Sequence, residues 1–172
     1  LSGVGLPCAN SSRTRVLEGV ELIRIWRACP VISFLPWGAA IRLLMATGQR
    51  RSEVLNAEWR EFNLEAKKWV IPSERSKNRS AHIVHLNQPA LETLRAIPRT
   101  AGQKYVFESS RVRKAQESVE CGPKPYSGLA NPVSELRKLV KLKEWRIHDL
   151  RRSVATHMAS LEILPHVIEV VL

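Results

Sequence analysis

A mainly helical fold that carries one small antiparallel sheet is the class this 172-residue chain predicts. Three observations lead there. Apolar residues recur at helical spacing along most of the chain. Between Trp59 and Leu86, by contrast, the runs "REFNL", "KKWVIP" and "AHIVHL" are aromatic or β-branched and are separated by polar, turn-like pieces. Finally, a chain of this length with 44% hydrophobic residues can bury a core of its own, which makes it a single globular unit.

The elements follow in order. Residues 1–12, rich in Gly, Ser, Pro and Asn, read as a tail or linker remnant, and the domain proper runs from 13 to 172. "VLEGVELIRIWRA", Val16 to Ala28, spaces Leu22, Ile25 and Trp26 for one helix face. "PWGAAIRLLMAT" starts a second helix with Pro36 near its first turn, and Gly48 stops it. Directly beyond, "QRRSEVLNAEW" resumes a short helical pattern, so Arg50 and Arg51 sit at a tight junction where the backbone aims a side chain. The connection "SERSKNRS" is heavily charged and predicts an exposed, mobile loop. "QPALETLRAI" is a helix beginning near Pro89, whereas 98–104 and 108–130 are loop-rich, with a short strand at Tyr105 to Phe107. "NPVSELRKLVKL", a helix over 147–161 and the apolar helix "LPHVIEVVL" complete the chain.

Charge narrows the partners. There are 27 Lys and Arg against 16 Asp and Glu, a net +11, which attracts polyanions and puts nucleic acid first among partners. A basic protein with no nucleic-acid role is the bland alternative, and charge alone does not separate the two. Cys8, Cys29 and Cys121 form no C-x-x-C pair, so neither a disulfide framework nor a zinc site is indicated and a reducing, intracellular setting fits. No apolar run is long enough to span a membrane, and the opening residues lack the pattern of a secretion signal. His82 and His85, three apart in a strand, should face opposite sides, which argues against a shared metal site.

The densest chemistry lies in "RIHDLRRSVATH", residues 146 to 157. At roughly 100° per residue, Ile147, Leu150, Val154, Met158 and Leu161 form one core-facing stripe with Arg151 beside it. His148 lies on the flank next to Arg151, while Arg152 points nearly opposite the core and reads as a solvent or DNA-surface charge. An arginine at a core boundary must find an anion or several acceptors, which makes Arg151 the better site residue. Geometry alone leaves a second option, an Arg151 paired with Asp149 or Glu53 for packing.

"HDLRRSVATH" resembles the H-x-x-R box of the tyrosine recombinases, the phage integrase family, and "ATGQRRSEVL" is similar to that family's first arginine box. Between them, "IPSERSKNRSAHIVHL" resembles the family's sheet segment, in which a lysine occupies the hairpin turn and a strand of the H-x-V-P-L kind follows. His85 stands where proline is common. The resemblance implies an integrase-like catalytic domain of DNA breaking-rejoining enzymes, covering the chain from about Arg13 onward. It also implies roles. Arg50 and Arg151 would hold the non-bridging oxygens of a scissile phosphate, Lys77 would protonate the departing 5′ oxygen, and His148 would assist proton transfer or orient the phosphate. Glu53 would support an arginine, and Arg75, Arg79 and Arg152 would contact DNA phosphates. Neither metal nor cofactor is called for.

The same resemblance exposes a gap. The family follows its H-x-x-R helix with another helix, a turn bearing a second histidine or tryptophan, and then the nucleophilic tyrosine; this chain reaches Leu172 about where that turn should begin. Tyr105 and Tyr126 precede the H-x-x-R box and match neither the order nor the context of the nucleophile. The expectation is therefore a domain incomplete at its C-terminus that binds DNA without cutting it. The resemblance implies that the parent protein is a cytoplasmic, prokaryotic or phage-encoded recombinase working as a tetramer on double-stranded DNA, with this chain by itself a monomer. A noncatalytic DNA-binding remnant is the alternative, and a type IB topoisomerase a lower one.

Overall fold

Helix α1 (Gly19–Ala28) starts after Glu18, whose backbone N–H donates to the Glu21 carboxylate at 3.0 Å, one half of a capping box. The computed structural model describes residues 15–32, 36–76, 80–108, 125, 129–142 and 144–172. Helix α2 (Trp37–Thr47) ends as its glycine predicts: Gly48 is left-handed at φ 65° and donates its N–H to the Leu44 carbonyl at 2.9 Å. The left-handed conformation at Gly48 is what calls for glycine there. Helix α3 (Arg51–Leu55) restarts with Arg50 in extended backbone just ahead of it.

Three strands follow in the order β1 (Phe62–Asn63), β2 (Lys68–Ile71) and β3 (His82–His85), all antiparallel, with Trp69 opposite Val84 and Ile71 opposite His82. Side chains alternate along β2: Trp69 and Ile71 are buried, and Lys68 and Val70 face out. Phe62 stacks on Trp69 with ring centroids 5.1 Å apart. His82 is half-buried and His85 exposed, on opposite faces as their spacing predicts.

Helix α4 (Gln88–Arg95) is capped by Asn87, whose side-chain oxygen accepts the Ala90 N–H at 3.0 Å. Helices α5 (Ala130–Val140), α6 (Ile147–Ser160) and α7 (Pro165–Val171) complete the described chain. Helix α2 is the hub, touching α1, α3, α4 and α6, and supplies Ile41, Leu43 and Leu44 to the core. Among the described residues no helix is long and apolar enough to cross a membrane, and no cluster of His, Cys, Asp and Glu could hold a metal.

Four expectations change. Tyr105 to Phe107 is no strand: Tyr105 makes a lone bridge to Glu58, while Val106 and Phe107 are fully buried. The core stripe of α6 does not run its length, since Met158 is half-buried and Leu161 is 74% exposed. Asp149 and Ser153 are buried beside Leu150 instead, because each has its polar atoms satisfied locally. The apolar helix α7 leans on α6 yet buries none of its own residues. The charged connection after β2 opens as a built turn, with the Arg75 and Ser76 N–H groups donating to the Pro72 carbonyl at 3.0 and 3.1 Å. Most of 108–130 lies outside the described residues.

Candidate active site

Arg50 owes its position to the break between α2 and α3. The chain turns at Gly48, and Arg50 then begins a helix whose third residue, Glu53, reaches back to it. One Glu53 oxygen accepts the Arg50 backbone N–H at 2.8 Å and the other pairs with its guanidinium at 3.1 Å. Glu53 itself is buried, so it holds Arg50 from below and leaves about a third of the Arg50 side chain exposed.

Helix α6 begins with the same device. The Asp149 carboxylate accepts the Arg146 N–H at 2.8 Å, which fixes the turn that presents His148 outward. One turn on, Arg151 crosses to the α2–α3 junction and donates to the Gly48 carbonyl at 2.8 Å and to the Leu172 main-chain oxygen. Among the described residues its hydrogen bonds go to backbone oxygens and neither Asp149 nor Glu53 is its hydrogen-bond partner, so Arg151 ties α6 to the α2–α3 junction. Burial and the nearby Arg50 charge push the Arg151 guanidinium below its ordinary pKa, and Glu53 partly opposes them. A half-buried cation beside a second cation gains from an anion placed against both.

Two clefts meet at His148 and Arg151. The first, of about 500 Å³, is also lined by Arg50, Arg152, Ile168 and Glu169. The second, of about 610 Å³, adds Arg51, Arg146 and Gln49 over an apolar floor that includes Leu129 and Val133. Arg50, His148 and Arg151, read from separate motifs, therefore share one cleft, with Glu53 behind Arg50. Arg152 does not simply face solvent. It lines the same cleft with a third of its side chain exposed, 3.8 Å from the Asp149 carboxylate, because α7 folds back alongside α6.

Arg75 departs from its expectation as a phosphate contact. Its guanidinium turns inward to the buried Glu61 carboxylate at 2.5 Å. Lys77 and Arg79 lie outside the described residues, as does Tyr126. Tyr105 lines neither cleft.

Sequence reasoning missed Gln49 and Ser153, and it read His157 as a packing or surface residue. Gln49 is buried and donates to the Val171 carbonyl at 2.7 Å, tying α7 to the junction. The Ser153 hydroxyl accepts the Leu17 N–H at 2.7 Å, and His157 Nε2 sits 2.8 Å from the Leu17 carbonyl. Two polar residues one helical turn apart on α6 thus clamp the strand of chain entering α1. Their spacing was visible in the sequence, but their target, a backbone far away in the chain, was not.

Known proteins supply the context. The integrase of Salmonella phage P22 is 28% identical over 159 residues, which cover 89% of this chain and 39% of that protein. The crystal structure of XerA recombinase superposes with a TM-score of 0.70 at 19% identity, covering 96% of this chain and 57% of that one. The Tn1549 transposon integrase in complex with circular intermediate DNA gives 0.69 at 12% identity, covering 94% and 58%. The chain thus spans about two fifths of its curated relative and somewhat over half of the two structures. A sequence model of the phage integrase family matches residues 16–172, and with the two arginine boxes folded onto one cleft the chain belongs to that family.

Proposed function

We propose that this chain forms the phosphate-gripping core of a tyrosine recombinase, which cuts and rejoins DNA at specific sites through a 3′-phosphotyrosyl intermediate. The carrying observation is the convergence of Arg50, His148 and Arg151 on one cleft. When an oxygen nucleophile attacks a phosphodiester, negative charge builds on the non-bridging oxygens. Two guanidiniums aimed at those oxygens stabilise that state more than the ground state. Glu53 fixes one of them, and His148, exposed at the cleft edge, is suited to orient the phosphate or pass a proton. Lys77 completes the set as proton donor to the leaving 5′ oxygen, and neither metal nor cofactor enters.

Partner, assembly and place follow from the same reading. The Tn1549 integrase was solved on DNA, and the +11 charge of this chain suits that partner. The full-length protein would act as a tetramer on DNA, in the cytoplasm where a prokaryotic or phage genome lies. Residues 13–172 would belong to its catalytic domain, with 1–12 a tail or linker leading into it.

Covalent capture tests the reading. A duplex carrying the recognition site, nicked beside the scissile phosphate, is incubated with the full-length protein and resolved under denaturing conditions. A protein–DNA adduct that Arg50→Ala and Arg151→Ala each abolish is expected. DNA binding without an adduct on any cognate site would leave only the noncatalytic alternative.

A further inference from the structure

Gln49 and Arg151 take up four main-chain oxygens in matching order. Gln49, only 1% exposed, donates through Nε2 to the Thr47 carbonyl at 3.2 Å and to the Val171 carbonyl at 2.7 Å. Arg151 donates to the next oxygen along each segment, that of Gly48 at 2.8 Å and that of Leu172. Thr47 and Gly48 close α2, and Val171 and Leu172 close α7, so each side chain bridges the same two helix ends. Carbonyls at a helix C-terminus have no partner within the helix, and their partial negative charge favours a donor or a cation. The Arg151 guanidinium is therefore oriented by two oxygens, and one of them is only as well placed as the end of α7. That helix buries none of its own residues, so packing by itself holds it loosely. Among the described residues, the hydrogen bonds that tie its end to the α2–α3 junction come from Gln49 and Arg151.

We propose that Gln49 is a positioning residue, which holds the end of α7 in place so that the Gly48 and Leu172 oxygens together aim the Arg151 guanidinium at the scissile phosphate. The inference rests on Arg151 gripping that phosphate. Gln49 acts through α7. Without its amide the Val171 carbonyl loses its donor, the last turn of α7 loosens, and Arg151 keeps Gly48 as its one well-fixed acceptor. A guanidinium held at one point swings, whereas one held at two presents its remaining donors in a set direction. An amide suits this post, because it donates to both carbonyls and adds no charge beside Arg50 and Arg151.

The experiment measures single-turnover strand cleavage and DNA affinity in the full-length protein, with Gln49→Met placed in two backgrounds. Methionine matches glutamine in length and cannot donate a hydrogen bond. With Arg151 present, Gln49→Met should slow cleavage by about 10- to 100-fold and leave affinity within about threefold of wild type. With Arg151→Lys, whose single nitrogen cannot span two oxygens as a guanidinium does, adding Gln49→Met should slow cleavage by less than about threefold further. Gln49→Asn keeps the amide but is one methylene too short to bridge the two helix ends, and it should repeat the pattern should the methionine variant fail to fold. Equal slowing in both backgrounds, as a merely structural role would give, or a loss of affinity in place of rate, or full-rate cleavage by Gln49→Met would overturn the proposal. Arg151→Ala is the separate control. If it leaves cleavage intact, the phosphate-gripping reading fails and the role of Gln49 falls with it; if it cleaves slowly while Gln49→Met cleaves at full rate, the positioning role alone is refuted.

Discussion

Arg151 and Arg152 are neighbours in sequence with different physical duties. Arg151 is held by main-chain oxygens at the α2–α3 junction, whereas Arg152 lies beside the Asp149 carboxylate that caps its own helix. On the proposed reading Arg151 keeps its charge for a phosphate, because its hydrogen bonds among the described residues go to main-chain oxygens and not to a carboxylate. Cys29 illustrates the opposite use of burial. Loss of solvent pushes its thiol from 9.0 up to about 12, against the pull of Arg42. The folded state therefore keeps this proton longer than the unfolded one. Its contribution to stability is complete below about pH 9 and is lost as the pH rises toward about 12. In the native protein at pH 8, alkylation of Cys29, followed by peptide mass mapping, should be orders of magnitude slower than in urea. Similar rates in both states would mean that the thiol is not sealed in the core.

At the scale of elements, the site depends on how two helix starts are built. Helix α3 and helix α6 each carry an acidic third residue, Glu53 or Asp149, that satisfies the backbone N–H just ahead of the helix. Each start also carries cationic side chains into the clefts, so capping and function share residues. Ser153 adds the long-range part. Its hydroxyl accepts the buried Leu17 N–H and donates to the Asp149 carbonyl at 2.7 Å, joining the entry to α1 to the helix that bears His148 and Arg151. Ser153→Ala strands the Leu17 N–H without a partner and should cost about 1–3 kcal/mol in urea denaturation. Ser153→Thr keeps the hydroxyl but must fit a methyl where the serine has no exposure at all, so it should recover only part of that loss. A fully stable alanine variant would show that the clamp carries no weight.

Across the whole molecule, the helices, the three-stranded sheet and the two arginine boxes were legible because each leaves a local signature: apolar period, β-branched runs, a glycine stop, an acidic residue three positions into a helix. The parts that were not legible are those whose meaning depends on distant chain. Arg75 looks like any loop arginine until Glu61 and Trp69 are beside it. Leu161 looks like core, yet it is 74% exposed just past the end of α6. Met158 and Leu161 fit a periodic stripe, but Asp149 and Ser153 occupy the buried face, because satisfied polar atoms are as much at home there as methyl groups. The central claim is that the junction of α2, α3 and α6 grips a phosphate in the transition state and does more than attract DNA to a chain of net charge +11. It is tested most directly by measuring DNA affinity and single-turnover strand cleavage together in the full-length protein with Arg151→Ala. The account predicts that affinity falls by about tenfold or less, as expected for one lost phosphate contact among many, while cleavage falls by about a hundredfold or more. Equal losses in the two, or cleavage left intact, would contradict it.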